Sequence, residues 1–182
     1  MKSIIYLFLA LSVLTSCAVR KKGIRTDSTS SGKIIERPSP VNRANIKSYY
    51  AEVLNTEPKN LNEDLYELID EWMGSPHRLG GDNKNGVDCS WFVGLIYQQV
   101  YHKNLPRMSK DMAEFVKRKY DNQLQEGDLV FFSFGGKSID HVGVYLHNDK
   151  FVHVSTSKGV IISNLKDVWY YKYLSRCGTP VL

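Results

Sequence analysis

One cysteine and two histidines carry the chemistry that this sequence offers. Cys89 stands in NGVDCSWFVGLIYQQV, residues 85–100, between turn-forming residues and an apolar run. His141 stands in DHVGVYL, 52 residues further on, and His153 in FVHVS, 12 beyond that. The run after Cys89 has helical period, which puts Cys89 at or near the first residue of a helix. Unpaired N–H groups and the helix dipole there favour an anion, hence thiolate over thiol, and thiolate is the nucleophilic form. Asp88 is placed to cap the helix, and the same N–H groups are candidates for holding an oxyanion. The alternative is a small buried hydrophobe, a common role for Cys. A GVD turn before Cys89 and the Ser90 hydroxyl after it argue against that.

The two histidines fall on adjacent runs of strand period. For both to share a sheet face, their cross-strand partners must have numbers summing to an even value. A two-residue loop at Asn148–Asp149 would break that parity. A three-residue loop, 147–149, pairs 146 with 150 and 143 with 153, and sets His141 diagonal to His153 within hydrogen-bonding reach. A triad built on Cys89 and the two histidines thus makes a definite demand on this hairpin. The rival use of Cys, His and His is zinc, but their spacing fits no compact ligand pattern, and we expect no metal and no cofactor. Cys177, at the end of the last run, reads as core filler.

Four helical segments precede the strands. Ile46, Tyr49, Tyr50, Val53 and Leu54 form one apolar stripe, and Leu61, Leu65, Leu68, Ile69, Trp72 and Met73 a second, with Asn62 as N-cap and Gly74 past the end. Residues 75–86, SPHRLGGDNKNG, read as a loop. The Cys89 helix runs to about Tyr101, and a short fourth helix, capped by Ser109, turns Met112, Phe115 and Val116 inward. Beyond residue 125 the period falls to two in GDLVFFSF, HVGVYL, KFVHVST, GVIISNL and YKYLSRC. Helices followed by an antiparallel meander predict an α+β domain over residues 42–182, its helices packed on a five- to six-stranded sheet.

GVDCS, the GDLVFF run and DHVGVYL followed by FVHVS, in this order and at these intervals, resemble the NlpC-type bacterial cell-wall peptidases, which are papain-like cysteine enzymes. The resemblance spans roughly residues 62–176. It implies a papain-like fold with Cys89 as nucleophile, His141 as general base and His153 as the group that orients it. It also implies hydrolysis of stem-peptide amides in peptidoglycan, typically between D-glutamate and a diamino acid. Two positions depart from the family pattern. His77, in PHRLGG, stands where a Tyr usually offers a hydrogen bond to the oxyanion, and Trp91 stands where Gly usually follows DCS. His77, Arg78, Asp88, Ser90 and Trp91 form the expected oxyanion- and substrate-facing set.

The first residues bear on location. Lys2 precedes the apolar run IIYLFLALSVL, of the length of a secretory core and short for a bilayer span. It ends in LTSC, Leu14–Cys17, which resembles a lipobox, so residues 1–16 read as a lipoprotein signal peptide and Cys17 as the lipidated first residue of the mature chain. Residues 17–41 read as a polar tether. Residues 18–41 hold six of the chain's 24 Lys/Arg and two of its 19 Asp/Glu. With Lys2 set aside, residues 42–182 then balance at 17 of each sign. The net +5 therefore belongs to leader and tether. The folded part carries no basic excess, which removes the argument for nucleic acid; the tether's cations suit a membrane surface or simply keep a linker extended. No acidic residue follows Cys17 closely, which by analogy with lipoprotein sorting favours the outer membrane, facing the periplasm. The expectation is a monomeric, lipid-anchored peptidoglycan endopeptidase. The other readings are a non-catalytic wall-binding lipoprotein and an acyl or peptidyl transferase on the same fold.

Overall fold

The computed structural model describes residues 45–181. The segments expected to be a signal peptide and a tether, with Cys17 between them, lie outside the described residues. Two helices open the described chain, α1 (Ile46–Leu54) and α2 (Glu63–Trp72). Asn62 caps α2, its side chain accepting from Leu65 N–H at 3.3 Å, and Glu63 and Asp64 sit in the first turn, where the helix dipole favours negative charge. The stretch read as a loop holds a minimal hairpin, β1 (Asp82–Asn83) with β2 (Gly86–Val87). Then follow α3 (Cys89–Val100), the one-turn α4 (Ser109–Met112) and a short strand β3 (Val116–Arg118).

The remaining chain builds the sheet from β4 (Leu129–Phe132), β5 (His141–Tyr145), β6 (Lys150–Ser155), β7 (Gly159–Asn164) and β8 (Leu174–Pro180), with helix α5 (Val168–Tyr173) between the last two. The six strands lie in the order β3-β8-β4-β5-β6-β7, all antiparallel. So β4 to β7 form the expected meander, while β8 returns across it to pair with β4 and carries β3 at the edge.

Alternation along the strands separates two apolar layers. Val142, Val144, Val152, Val154, Val160 and Ile162 face α1, α2 and α3 in the main core. Val130, Phe132, Tyr145, Phe151 and Cys177 face the other way, where Tyr170 and Tyr173 of α5 cover them. Cys177 is thus core filler.

Three local readings need correction. YKYLSRC is not one strand: Val168–Tyr173 is a helix, because Asp167 caps it by accepting from Trp169 N–H at 3.2 Å. Ser109 is the first residue of α4; the N-cap is Met108, which has no capping side chain. Phe115 is 47% exposed, because Ala113–Phe115 tightens into a 3₁₀ turn that points its ring outward, while Val116 enters β3.

Candidate active site

Cys89 opens α3. The Asp88 side chain accepts from Trp91 N–H at 2.7 Å, closing the first turn, and receives the Ser90 hydroxyl at 3.1 Å. Arg107, from the loop after α3, forks over the same carboxylate and donates to Ser90 Oγ at 2.8 Å. Burial works against charge on Asp88, but the Arg107 fork and the Trp91 amide outweigh it and hold the carboxyl below its ordinary range. Asp88 and Ser90 thus shape the helix start from behind. Arg107 is a structural partner that the sequence did not reveal, since only the chain reversal after α3 brings it back.

The hairpin after β5 has the three-residue form. Gly143 pairs with His153 and Tyr145 with Phe151, and Lys150 O accepts from Leu146 N–H at 2.8 Å. Asn148 and Asp149 take left-handed conformations at φ 49° and 59°, which these short polar residues tolerate. The register brings His141 Nε2 to 2.9 Å from His153 Nδ1. Gly143 makes room for the pair: a Cβ there would lie 2.7 Å from Val152 O, 2.8 Å from the Phe151 ring and 3.2 Å from His153 Cβ. Phe132 and Phe134 wall the His141 ring at 6.0 and 5.5 Å between centroids.

His153 is 2% exposed and both its ring nitrogens are engaged: Ser163 Oγ lies 3.0 Å and Tyr170 OH 3.2 Å from its Nε2. Because His141 spends Nε2 on His153, its Nδ1 is the nitrogen available to Cys89. The Val142 amide, next to His141 at the start of β5, favours the charged form of the Cys89 sulfur. Nitrogens facing each other at 2.9 Å leave no space for a shared metal ion, and among the described residues no cluster of three metal-ligating side chains occurs.

The site's electrostatics differ from the sequence expectation. Burial pushes the Cys89 thiol up, the Asp88 charge adds to this, and the amides of Val142, Ser90 and Cys89 itself oppose it without cancelling it. Burial pushes His141 down to about 4, against the pull of Asp140 and with help from His77. Burial and the His141 charge also drive His153 well below its ordinary value. At neutral pH the resting pair is therefore thiol and imidazole, not thiolate and imidazolium. The helix start lowers the cost of the anion when it forms but does not hold it in the free protein. A neutral His141 is a competent base for the Cys89 proton, with His153 behind it.

The other expected residues divide between the cleft and its support. His77 pairs in parallel with Val87, two residues before Cys89, and is near enough to His141 for its charge to act there. Its segment is pinned behind, where Gly74 N–H donates to Val160 O at 2.9 Å and Val160 N–H to Ser75 O at 2.9 Å. Arg78 turns outward to Asp82, 3.7 Å away. The Trp91 ring packs on Trp72 at 5.3 Å. The bulk that stands in place of glycine is thus taken up against α2.

Comparisons with known proteins place the chain that carries this site in a family. The family model described as the NlpC/P60 family matches residues 74–178. The probable endopeptidase NlpC of Escherichia coli is 41% identical over 109 residues, which cover 59% of this chain and 71% of that one. The murein DD-endopeptidase MepS/murein LD-carboxypeptidase of Escherichia coli is 39% identical over 120 residues, 66% of this chain and 62% of that one. Among solved structures, an NlpC/P60 family protein from Bacillus cereus superposes with a TM-score of 0.60 at 26% identity, over 66% of this chain and 40% of that one. The α+β architecture and its antiparallel sheet agree with that neighbour, and the matched span holds Cys89, His141 and His153: the chain belongs to the NlpC/P60 family.

Proposed function

We propose that this protein is a peptidoglycan endopeptidase that hydrolyses stem-peptide amide bonds with Cys89, His141 and His153. The observation that carries the reading is the His141 Nε2 to His153 Nδ1 contact of 2.9 Å behind a cysteine at a helix start. The relatives named as murein endopeptidases support the substrate class. In this mechanism His141 Nδ1 takes the thiol proton as Cys89 sulfur attacks the amide carbonyl. The oxyanion forms beside the N–H groups that open α3, with His77 as a further donor. Collapse breaks the C–N bond, and the proton on His141 passes to the departing amine. Water then attacks the thioester, giving its proton to His141, and the acid product leaves with Cys89 restored as thiol.

The resemblance of motifs favours the bond between D-glutamate and a diamino acid. The 39% identity with a protein named as both a DD-endopeptidase and an LD-carboxypeptidase favours a second reading, cleavage at D-alanine bonds. Digestion of purified sacculi followed by mass spectrometry of the muropeptides separates the two by the new terminus released. An unchanged muropeptide profile would refute the assignment.

Anchoring belongs to the same proposal. The LTSC string supports lipidation of Cys17, and the polar, basic residues 18–41 support a tether at a membrane, with the outer membrane and a periplasmic orientation favoured. Cys17→Ser releases the protein from the membrane fraction if this is right, and leaves its fractionation unchanged if it is not.

A further inference from the structure

We propose that Ser163 and Tyr170 are positioning residues for the reaction, holding His153 in the one tautomer that lets it accept from His141. The inference rests on the proposed role of His141 as base, and it concerns two residues outside the Cys-His-His set.

At the cleft, His141 can take the Cys89 proton only if Nδ1 carries a lone pair, so its own proton sits on Nε2. That N–H points at His153 Nδ1, 2.9 Å away, which must then be unprotonated. A neutral His153 consequently carries its proton on Nε2. At the far end, Ser163 Oγ donates to Tyr170 OH at 3.4 Å. With its proton spent there, Ser163 presents only lone pairs to His153 Nε2, 3.0 Å away, and so requires an N–H from the ring. Tyr170 OH, 3.2 Å from the same nitrogen, shares that N–H as a second acceptor. Both ends fit the same tautomer, and neither requires His153 to hold a charge, which its burial opposes.

The placement follows from the fold. Ser163 lies on β7 opposite Phe151, diagonal to His153 on the same sheet face. Tyr170 projects from α5, its ring edge-on to His153 at 5.2 Å and to Phe151 at 5.1 Å. Helix α5, whose last residues fall in a run read from sequence as strand, is therefore the element that closes the relay. Without these two hydroxyls, His153 Nε2 has no acceptor, the Nδ1–H form becomes competitive, and two N–H groups then face each other between the histidines.

The test uses Ser163→Ala, Tyr170→Phe, their double variant, and Ser163→Thr as the conservative rescue. Nitrogen-15 NMR of the histidine rings reads the tautomer directly and needs no turnover. We expect the wild type to show His153 as Nε2–H and the double variant to populate Nδ1–H. Turnover of a muropeptide substrate should fall about 10- to 100-fold in kcat at unchanged KM, the scale seen when the partner behind a metal-ligating imidazole is removed. Ser163→Thr should restore both signals, and melting temperatures should stay close to wild type. An Nδ1–H His153 in the wild type, or a double variant with the wild-type tautomer and kcat, overturns the inference. If the wild type cleaves no muropeptide, the proposed function fails, while the tautomer measurement still decides the role of Ser163 and Tyr170.

Discussion

Acidification should destabilise this protein through its buried histidines, and His141→Asn should remove the share that belongs to His141. The ring is 9% exposed, and burial lowers its pKa to about 4 from the ordinary 6.5. The sign follows from proton counting. Between those two values the unfolded chain binds a proton that the folded one refuses, so stability falls as pH drops through 6.5 and levels off below about 4. A shift of two and a half pH units at about 1.4 kcal/mol each gives roughly 3 kcal/mol lost between pH 7 and pH 4. For a domain of this size that corresponds to roughly 10 °C in melting temperature. The assay is thermal unfolding by circular dichroism at pH 4 to 8 for both proteins. Carboxylates and the buried His153 remain in both, so the difference between the curves reads the share of His141. Parallel curves would mean that His141 is as easily protonated folded as unfolded, and the neutral thiol–imidazole pair would have to be abandoned.

Three other outcomes follow from the site. His153→Asn should keep part of the activity, since an amide oxygen still accepts from His141, whereas His153→Ala should lose nearly all of it; equal and total loss in steady-state assays would show that His153 does more than orient. Arg107→Leu leaves the buried Asp88 carboxylate without its fork and should cost about 1–2 kcal/mol in urea unfolding, a modest figure because the arginine is half exposed; an unchanged midpoint would make the contact incidental. His77→Phe should lower turnover about 10- to 1000-fold, the scale for a lost oxyanion donor, and His77→Tyr, which keeps a donor, should remain active. A His77→Phe profile matching wild type at every pH would reduce His77 to a loop residue.

What could be read from sequence depended on whether the signal was local. Asp88 and Asn62 as caps, the Cys89 helix start and the strand runs each show in a few neighbouring residues. The histidine pairing was accessible because strand alternation turns register into parity, and only the three-residue hairpin puts 143 opposite 153. Arg107 was not, because its contact with Asp88 depends on how the chain reverses after α3. The last residues of α5 read as strand because Tyr171 and Tyr173 favour strands by composition, whereas the deciding contact is the Asp167 cap. Ser163 shows only as a polar residue near a strand end until Tyr170 is brought over it. The thiolate expectation failed for a related reason: a helix start is visible in sequence, but the burial that opposes charge on Cys89 is made by the packed sheet.

The central claim is that Cys89 attacks the substrate. A purified cross-linked muropeptide, incubated with wild type and with Cys89→Ala and followed by intact mass, tests it most directly. The account predicts cleavage with a new amine terminus by the wild type and none by Cys89→Ala, with melting temperatures nearly equal, because the half-buried thiol lines the cleft. Wild-type turnover by Cys89→Ala would contradict it.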